Sequence, residues 1–338
     1  MIKGHGSDIH NFKLIKADFS SNVSYVDYSK VIKRILLDNI PNLKHYPDVE
    51  YRELSSQIAL YHNCDRNNIL VSNGAVAAIY QLAQTFSEYK SSLFYPEFSE
   101  YESACKMHNH QIEFLSIGDF KSISSNCQFA IIGNPNNPTG QCFAQDKLLA
   151  LVSQRKDVIF AIDEAYMDFV SHPQSLAGYI NKYPNLIIIN SFTKRFSIPG
   201  LRLGYLLANP QLINRINRFS QPWSVNSLAA HLGKIILKKQ LLFPMDFPTL
   251  YAEKERLYRA LSLFEVLEIR PSHSNYFLIK MLQKTAIELK TYLAEQHHIL
   301  IRDASNFRGL TAQYFRISVR NKTDNQLLLS ALTQFFKA

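Results

Sequence analysis

The stretch SFTKRFSIPGLRLGY, residues 191–205, places a lysine shortly after a run of apolar residues. That run, NLIIINS at residues 185–191, has no polar face, which is typical of a β-strand covered on both sides in a parallel sheet. A lysine at the end of such a strand, Lys194, either extends its chain to solvent or takes a partner or a covalent role. Lysines that form Schiff bases are amines held away from bulk water. The segment therefore indicates a reactive amine at a strand end, with a surface lysine as the alternative interpretation.

Short apolar runs alternate with helical patterns from about residue 68 to residue 210. Alternation on this scale predicts an α/β fold with a mostly parallel sheet under helices. The first predicted helices are AVAAIYQLAQTF and EFSEYESACKMHN, and the predicted strands are NNILVS, SSLFYP, QIEFLSI, CQFAIIG, DVIFAIDEA, NLIIINS and LRLGYLLAN.

The pattern changes near residue 225, where longer helical runs precede short strands around SNYFLIK, ILIRDA and YFRISVR. This change predicts a second, smaller α+β domain. We therefore expect three parts, namely an N-terminal arm of residues 1–30, a large domain of residues 31–235 and a small domain of residues 236–338.

Composition limits the classes of function. The charges are scattered singly, and 37 Lys and Arg against 28 Asp and Glu give a net charge of +9. Without a basic stripe, this balance favours a solvated surface or anionic small molecules over nucleic acid. Four cysteines without C-x-x-C or metal-ligand spacing predict free thiols, a reducing compartment and no metal. No signal-peptide pattern or long apolar run is present, so we expect a cytoplasmic protein without a membrane partner.

Polar residues follow four of the predicted strands at the point where each strand ends. Asn73-Gly74, the NPNNPTG segment at residues 134–140, Asp163 and Lys194 each occupy such a position. Ligands of open α/β sheets bind outside the carboxyl ends of the strands, so we expect a pocket at this edge. The chain has no G-x-G-x-x-G motif, which argues against a dinucleotide-dependent dehydrogenase.

Two of these strand ends indicate the chemistry of the ligand. Asp163 should be buried, and a buried carboxylate needs a cation such as a protonated pyridine nitrogen; capping of a loop is the alternative. The turn at Gly74 opens a helix, whose free N–H groups favour an anion such as phosphate. Arg202, in GLRLGY, can add a bidentate contact to a phosphate.

The order of strand–NG–helix, NPNNPTG, DEAY, SFTK and GLRLGY resembles the fold-type-I aminotransferase family, whose enzymes use pyridoxal phosphate (PLP). The resemblance implies that Lys194 binds PLP covalently and moves protons, and that Asp163 faces the pyridine nitrogen. It implies that Asn137 and Tyr166 lie on the phenolic oxygen of the ring. Phe98, in YPEFSEY, would stack on the ring. The catalytic residues would then be Lys194, Asp163 and Tyr166.

The same resemblance implies a phosphate-binding cup and a homodimer. Tyr46, in HYPDVEY, would reach the phosphate from the partner subunit, and the N-terminal arm would pack on the small domain. The residues of the cup would be Gly74, Ala75, Ser191, Thr193 and Arg202.

Several stretches resemble more narrowly the threonine-phosphate decarboxylases of cobalamin biosynthesis, which are relatives of the histidinol-phosphate aminotransferases. They are GHGSDIH, HYPDVEY, FTKRFSIPGLRLGY, QPWSVNSLAA, ILIRDASNFRGL and YFRISVR. This resemblance implies a phosphorylated amino acid whose carboxylate Arg316 holds, while His5 and Arg302 help to bind its phosphate. Asn22, in the arm, is a further substrate-binding candidate, and Arg320 is a weaker one. The alternative for each arginine is a surface ion pair.

Two departures from the family pattern affect binding. The helix after Asn73-Gly74 carries Val76 and Ala78 where the family usually offers a hydroxyl and an acid, so one phosphate contact is missing. The arm has Val23 after Asn22, where the family usually has Asn-Pro.

The predicted reaction is the PLP-dependent decarboxylation of O-phospho-L-threonine to aminopropanol phosphate. Transamination of histidinol phosphate or a related amino acid is the alternative. The bond to the α-carbon that is held perpendicular to the PLP ring is the one that breaks, so the orientation of the substrate decides between loss of CO₂ and loss of a proton. A catalytically silent PLP-binding protein is the alternative of another class, since a fold alone does not guarantee activity.

Overall fold

The computed structural model describes residues 6–337, and within this range thirteen β-strands are present. They are β1 (Ala17–Asp18), β2 (Ile69–Ser72), β3 (Lys90–Tyr95), β4 (Gln111–Ser116), β5 (Phe129–Gly133), β6 (Ile159–Asp163), β7 (Leu186–Ser191), β8 (Gly204–Ala208), β9 (Leu267–Ile269), β10 (Tyr276–Met281), β11 (Ile299–Leu300), β12 (Arg302–Asp303) and β13 (Tyr314–Ser318).

Ten α-helices connect and cover these strands in the described range. They are α1 (Ser29–Asn39), α2 (Arg52–His62), α3 (Gly74–Thr85), α4 (Ser99–Met107), α5 (Gln145–Gln154), α6 (Pro210–Asn217), α7 (Ser227–Lys238), α8 (Phe247–Leu261), α9 (Ala286–His297) and α10 (Lys322–Lys337).

The main sheet has seven strands in the order β2-β8-β7-β6-β5-β3-β4. Strand β8 is antiparallel to both of its neighbours, β2 and β7, and all the other neighbouring pairs of this sheet are parallel, so the prediction of a mostly parallel sheet is confirmed. Successive residues of a strand face opposite sides of the sheet. Ile187 therefore packs into one apolar cluster with α3 and α4, and Ile188 into another with α2 and α7. This double cover explains why the sequence of β7 has no polar face.

A second sheet, of the order β12-β13-β10-β9, is antiparallel and packs against α8, α9 and α10. The run ILIRDA, predicted as one strand, divides into β11 and β12. Strand β11 pairs instead with β1, so that Ala17 lies opposite Ile299. The N-terminal segment is thereby attached to the C-terminal part of the chain. The limits of the three predicted parts, at residues 30 and 235, stay a prediction.

The strand predicted at LRLGYLLAN begins only at Gly204. Residues Pro199–Leu201 form a 3-10 turn, and Arg202 has a left-handed backbone with φ of 56°. Neither conformation can continue an extended strand. None of the helices in residues 6–337 combines the length and apolar character that crossing a membrane demands.

Candidate active site

The carboxyl ends of the central strands open onto one cavity of about 250 Å³. The strand register explains the convergence, because Gly133 pairs with Asp163 and Asp163 pairs with Ile189 at the same edge. The predicted residues that line this cavity are Ala75, Phe98, Asn137, Asp163, Tyr166, Ser191, Thr193, Lys194, Arg202, Arg302 and Arg316.

The side chain of Lys194 points into this cavity. Its Nζ donates a hydrogen bond of 2.9 Å to the carbonyl of Ser21 and lies 5.6 Å from the ring centroid of Tyr166. The backbone N–H of Ser24 also donates a hydrogen bond to the carbonyl of Lys194, so the N-terminal segment is hydrogen-bonded to both the side chain and the backbone of this lysine. Lys194 is therefore part of the cavity wall and does not lie on an exposed surface.

Asp163 ends β6 and is buried in the wall of the cavity. Its Oδ2 accepts a hydrogen bond of 2.8 Å from Tyr101, and its Oδ1 accepts one of 3.0 Å from the N–H of Ala165. Burial raises the pKa of Asp163, while these hydrogen bonds and the charge of Lys194 oppose the rise. Among the described residues no cation forms an ion pair with Asp163. A buried carboxylate with this environment fits the cationic nitrogen of a bound ring.

A second part of the cavity wall suits an anion. Helix α3 begins at Gly74 without a side-chain cap, so the N–H groups of its first turn are available to a ligand. A Cβ on Gly74 would lie 2.5 Å from Nη2 of Arg202, and one on Gly204 would lie 2.7 Å from the backbone N of Ala75. Both glycines therefore let the helix terminus, β8 and the arginine meet closely. Ser191 and Thr193 are buried nearby and contribute hydroxyls to the cavity wall.

Arg302 and Arg316 lie opposite each other on β12 and β13. Both are buried, with 6% and 4% of their surface exposed. Arg316 donates to Asn137 and, at 2.8 Å, to the carbonyl of Ser20, while its Nε is buried without a partner among the described residues. Burial and the charge of Arg316 lower the pKa of Arg302 to about 10, and burial lowers that of Arg316.

Like charges directly opposite on neighbouring strands destabilise a sheet unless an anion neutralises them. Asp303 and Asp8 offset part of the charge of Arg302, and Asp18 offsets part of that of Arg316. Two guanidinium groups on one cavity wall still suit an anionic ligand. Arg320, the weaker candidate, does not line the cavity and forms an ion pair of 2.8 Å with Asp324.

Besides Arg320, three predicted residues of the described range do not line the cavity. Gly74 lies just behind it, against Arg202. Asn22 is fully buried between the lining residues Ser21 and Val23, and its side-chain amide has no partner in the described part of the chain. Tyr46 is 81% exposed and packs on Trp223, with the ring centroids 4.9 Å apart. His5 lies outside the described residues.

Sequence reasoning missed other residues of the site. Tyr101 bonds to Asp163, Gly204 lets α3 approach β8, and Phe307 forms part of the wall. Tyr101 stands three positions after Phe98, so helical spacing could have found it. Ser20 and Ser21 act through their carbonyls, for which the sequence carries no signal.

Comparison with known proteins shows the class of this chain. Residues 15–332 match the family model of aminotransferase class I and II. The threonine-phosphate decarboxylase of Salmonella typhimurium is 30% identical over 93% of this chain and 90% of its own length. This chain therefore belongs to the aminotransferase class I and II family, as the sequence resemblance predicted.

Solved structures agree with this assignment. L-threonine-O-3-phosphate decarboxylase from Porphyromonas gingivalis superimposes with a TM-score of 0.91 and 35% identity, covering 95% of this chain and 99% of its own. Histidinol-phosphate aminotransferase from Clostridium acetobutylicum gives a TM-score of 0.88 and 28% identity, with coverage of 95% and 99%. Both decarboxylases and aminotransferases are thus similar to this chain.

Proposed function

We propose that this chain binds PLP and decarboxylates O-phospho-L-threonine to aminopropanol phosphate, a step of cobalamin biosynthesis. The observation that carries the proposal is the pair of buried arginines, Arg302 and Arg316, on the wall of the cavity that Lys194 and Asp163 also line. One arginine for a carboxylate and one for a phosphate match the two anionic groups of this substrate. The likeness to two threonine-phosphate decarboxylases at 30% and 35% identity supports the same substrate.

The residues of the cavity suit PLP in three respects. Asp163 supplies the buried anion for the pyridine nitrogen, and Lys194 supplies the amine that binds the cofactor covalently. The uncapped terminus of α3, with Ser191, Thr193 and Arg202, supplies donors for the phosphate. When bound, PLP supplies an electron sink that stabilises the negative charge left on the α-carbon when one of its bonds breaks.

The chain's own groups perform the remaining tasks. Arg316 orients the substrate carboxylate and Arg302 takes the phosphate. The wall residues Phe98, which is half-buried, and Phe307, which is buried, exclude water from the site. Lys194, once its amine is free, can deliver a proton to the α-carbon after CO₂ has left. Tyr166 lies beside that lysine, and Asn137 contributes a polar group to the same cavity.

The proposal is tested by incubating the purified protein and PLP with O-phospho-L-threonine, without any oxo acid. Stoichiometric release of CO₂ and aminopropanol phosphate is expected. Amino transfer from histidinol phosphate to 2-oxoglutarate, without CO₂ release, would contradict the decarboxylase and favour the aminotransferase. A normal visible band of bound PLP with neither reaction would favour a silent binding protein.

We place the reaction in the cytoplasm, the compartment that four free cysteines favour.

We also propose that the chain is a homodimer in which Tyr46 reaches the phosphate of the partner's PLP. Residues 37–49 carry five large apolar side chains that are between 47% and 81% exposed, and a monomer rarely exposes such a surface. They are Leu37, Ile40, Leu43, Tyr46 and Val49.

Subunit mixing tests this arrangement. Tyr46→Ala and Lys194→Ala homodimers are each expected to be nearly inactive at low PLP concentration. After equal mixing and exchange, about a quarter of wild-type activity should return, because half of the dimers are hybrids with one complete site. No recovery would show that Tyr46 does not act across the interface. Tyr46→Phe, which keeps the packing on Trp223 but removes the hydroxyl, separates the contact to phosphate from a loss of packing.

Val76→Thr is expected to tighten PLP binding by roughly tenfold or more, since a hydrogen bond to a charged group contributes about 1.5–3 kcal/mol. Val76 lines the cavity in the first turn of α3, and threonine has nearly the same shape as valine. The measurement is the dissociation constant of PLP, titrated into apoprotein by its visible band. Val266→Thr, at a half-buried position remote from the cavity lining, is the matched control. An unchanged dissociation constant would place the phosphate away from Val76.

A further inference from the structure

A buried tyrosine is hydrogen-bonded to Asp163 at the wall of the cavity. The hydroxyl of Tyr101, on α4, donates to Oδ2 of Asp163 at 2.8 Å, and only 3% of the tyrosine is exposed. The same turn of the helix presents Phe98, whose ring packs edge-on against Tyr101 with the centroids 5.7 Å apart. One short segment therefore carries both the candidate stacking ring and a donor to the carboxylate.

The remaining environment of Asp163 leaves Tyr101 a specific role. Oδ1 of Asp163 accepts a hydrogen bond from the backbone N–H of Ala165. In the described part of the chain, Tyr101 is the one side chain that donates a hydrogen bond to the carboxylate of Asp163. The titratable or charged groups that face Asp163 are Tyr101, Glu97, Lys194, Glu164 and Tyr276.

A second carboxyl group, that of Glu97, lies beside this pair. Its Oε1 accepts a hydrogen bond of 2.6 Å from the N–H of Gly133, and its Oε2 is buried without a partner among residues 6–337. A Cβ on Gly133 would lie 3.3 Å from that Oε1 and 3.4 Å from the hydroxyl of Tyr101, so the glycine makes room for both groups. Burial raises the pKa of Glu97 well above its usual range, and the charge of Asp163 adds to the rise.

We propose that Tyr101 is a positioning residue of this site, whose hydroxyl holds Asp163 in the orientation and anionic form that a protonated pyridine nitrogen requires, while Glu97 stays uncharged. The inference rests on the proposed binding of PLP. It assigns to Tyr101 and Glu97 roles that act through Asp163. Asp163 is the one carboxyl group among the described residues that line the cavity, and a neutral Glu97 behind it does not repel the charge that Asp163 presents there.

The sign of the effect follows from which form the hydroxyl favours. A hydrogen bond donated to the charged form of a carboxyl lowers its pKa, so removal of the hydroxyl raises the pKa of Asp163. PLP binding that needs the anion is present above this pKa and is lost as the pH falls through it. Without the hydroxyl, PLP binding is therefore lost at a higher pH.

The test measures the dissociation constant of PLP for apoprotein across acidic to neutral pH. In Tyr101→Phe the midpoint of the acidic loss of affinity is expected to rise by about one pH unit, which is roughly a tenfold weaker binding on the acid side. Glu97→Gln is expected to leave the midpoint unchanged, because an amide replaces a group that is already neutral. Tyr28→Phe is the matched control, since its buried hydroxyl bonds to the carbonyl of Pro244 at 2.7 Å, away from the cavity.

Each outcome decides the inference. An unchanged midpoint in Tyr101→Phe, with normal PLP binding by the wild type, overturns the role of Tyr101 and leaves the proposed function standing. A midpoint that falls in Glu97→Gln overturns the neutral state of Glu97. Failure of the wild type to bind PLP overturns the proposed function and this inference together. If Tyr101→Phe does not fold, 3-fluorotyrosine takes its place: its stronger donor should lower the midpoint, and an unmoved midpoint overturns the proposal.

Discussion

Lys194→Ala is expected to abolish CO₂ release from O-phospho-L-threonine while the protein stays folded. Lys194 is the one lysine among the described residues that line the cavity, so no neighbouring amine can replace it as nucleophile or proton donor. Proton transfer by a positioned side chain alone contributes about 10²–10⁴-fold to a rate, and loss of the covalent role adds to this. The measurements are CO₂ release, the visible band of PLP and the melting temperature.

Stability should fall only moderately in this variant. The substitution removes the hydrogen bond from the charged Nζ to the carbonyl of Ser21, and a hydrogen bond of a charged group contributes about 1.5–3 kcal/mol. Lys254→Ala is the matched control, because Lys254 also donates to a backbone carbonyl, that of Ser272 at 2.6 Å, but lies outside the cavity lining. Substantial activity in Lys194→Ala, with normal activity in Lys254→Ala, would remove Lys194 from the mechanism.

Arg316→Gln is expected to lower kcat/KM for O-phospho-L-threonine by about 10²- to 10³-fold. Truncating one partner of a buried, hydrogen-bonded charge pair costs about 2–5 kcal/mol, and each 1.36 kcal/mol is tenfold in rate. Arg316→Lys should recover little, because an ammonium group cannot supply the fork of donors that a carboxylate accepts. PLP binding should persist, and its visible band checks that the site is intact.

Arg320→Gln is the control for this effect. Arg320 stands four positions after Arg316, but its guanidinium is engaged by Asp324 and the carbonyl of Asp18. Its replacement should leave kcat/KM within a few-fold of wild type. Equal losses in the two variants would mean that Arg316 acts through the general charge of the region and not by contact.

A comparison of substrates separates the two buried arginines. Arg302→Gln should weaken the reaction of O-phospho-L-threonine and change that of L-threonine, which lacks the phosphate, much less. Arg316→Gln should weaken both, because both substrates carry the carboxylate. If Arg302→Gln weakened both reactions and Arg316→Gln only that of O-phospho-L-threonine, Arg302 would bind the carboxylate and Arg316 the phosphate. Identical effects in the two variants would show that neither arginine binds only one of the two anionic groups.

Much of the fold could be predicted from local patterns. The apolar runs of β5, β6 and β7 are buried on both faces of the sheet, so burial alone makes their sequences distinctive. The ends of strands could not be predicted in this way where the backbone conformation is unusual. The strand after Lys194 was predicted from residue 201 but begins at Gly204, because Arg202 adopts a left-handed conformation that no residue pattern announces.

The candidate site also has residues that local patterns predict and residues that they do not. Asp163 and Lys194 each follow a buried strand, and parallel strands bring their carboxyl ends to one edge, so their meeting could be predicted. The roles of Arg302 and Arg316 came from resemblance, and the structure adds that they face each other across two strands.

What the sequence by itself determined is therefore the class of fold, the mostly parallel sheet and the edge at which its polar residues gather. These depend on the period of apolar residues and on turns, which act over a few neighbouring positions. Only the tertiary structure decided which distant groups touch. Tyr101 reaches Asp163 across 62 positions and Arg316 reaches Asn137 across 179. Such contacts depend on how whole layers pack, and no local pattern encodes the direction in which a polar side chain meets a partner from another layer.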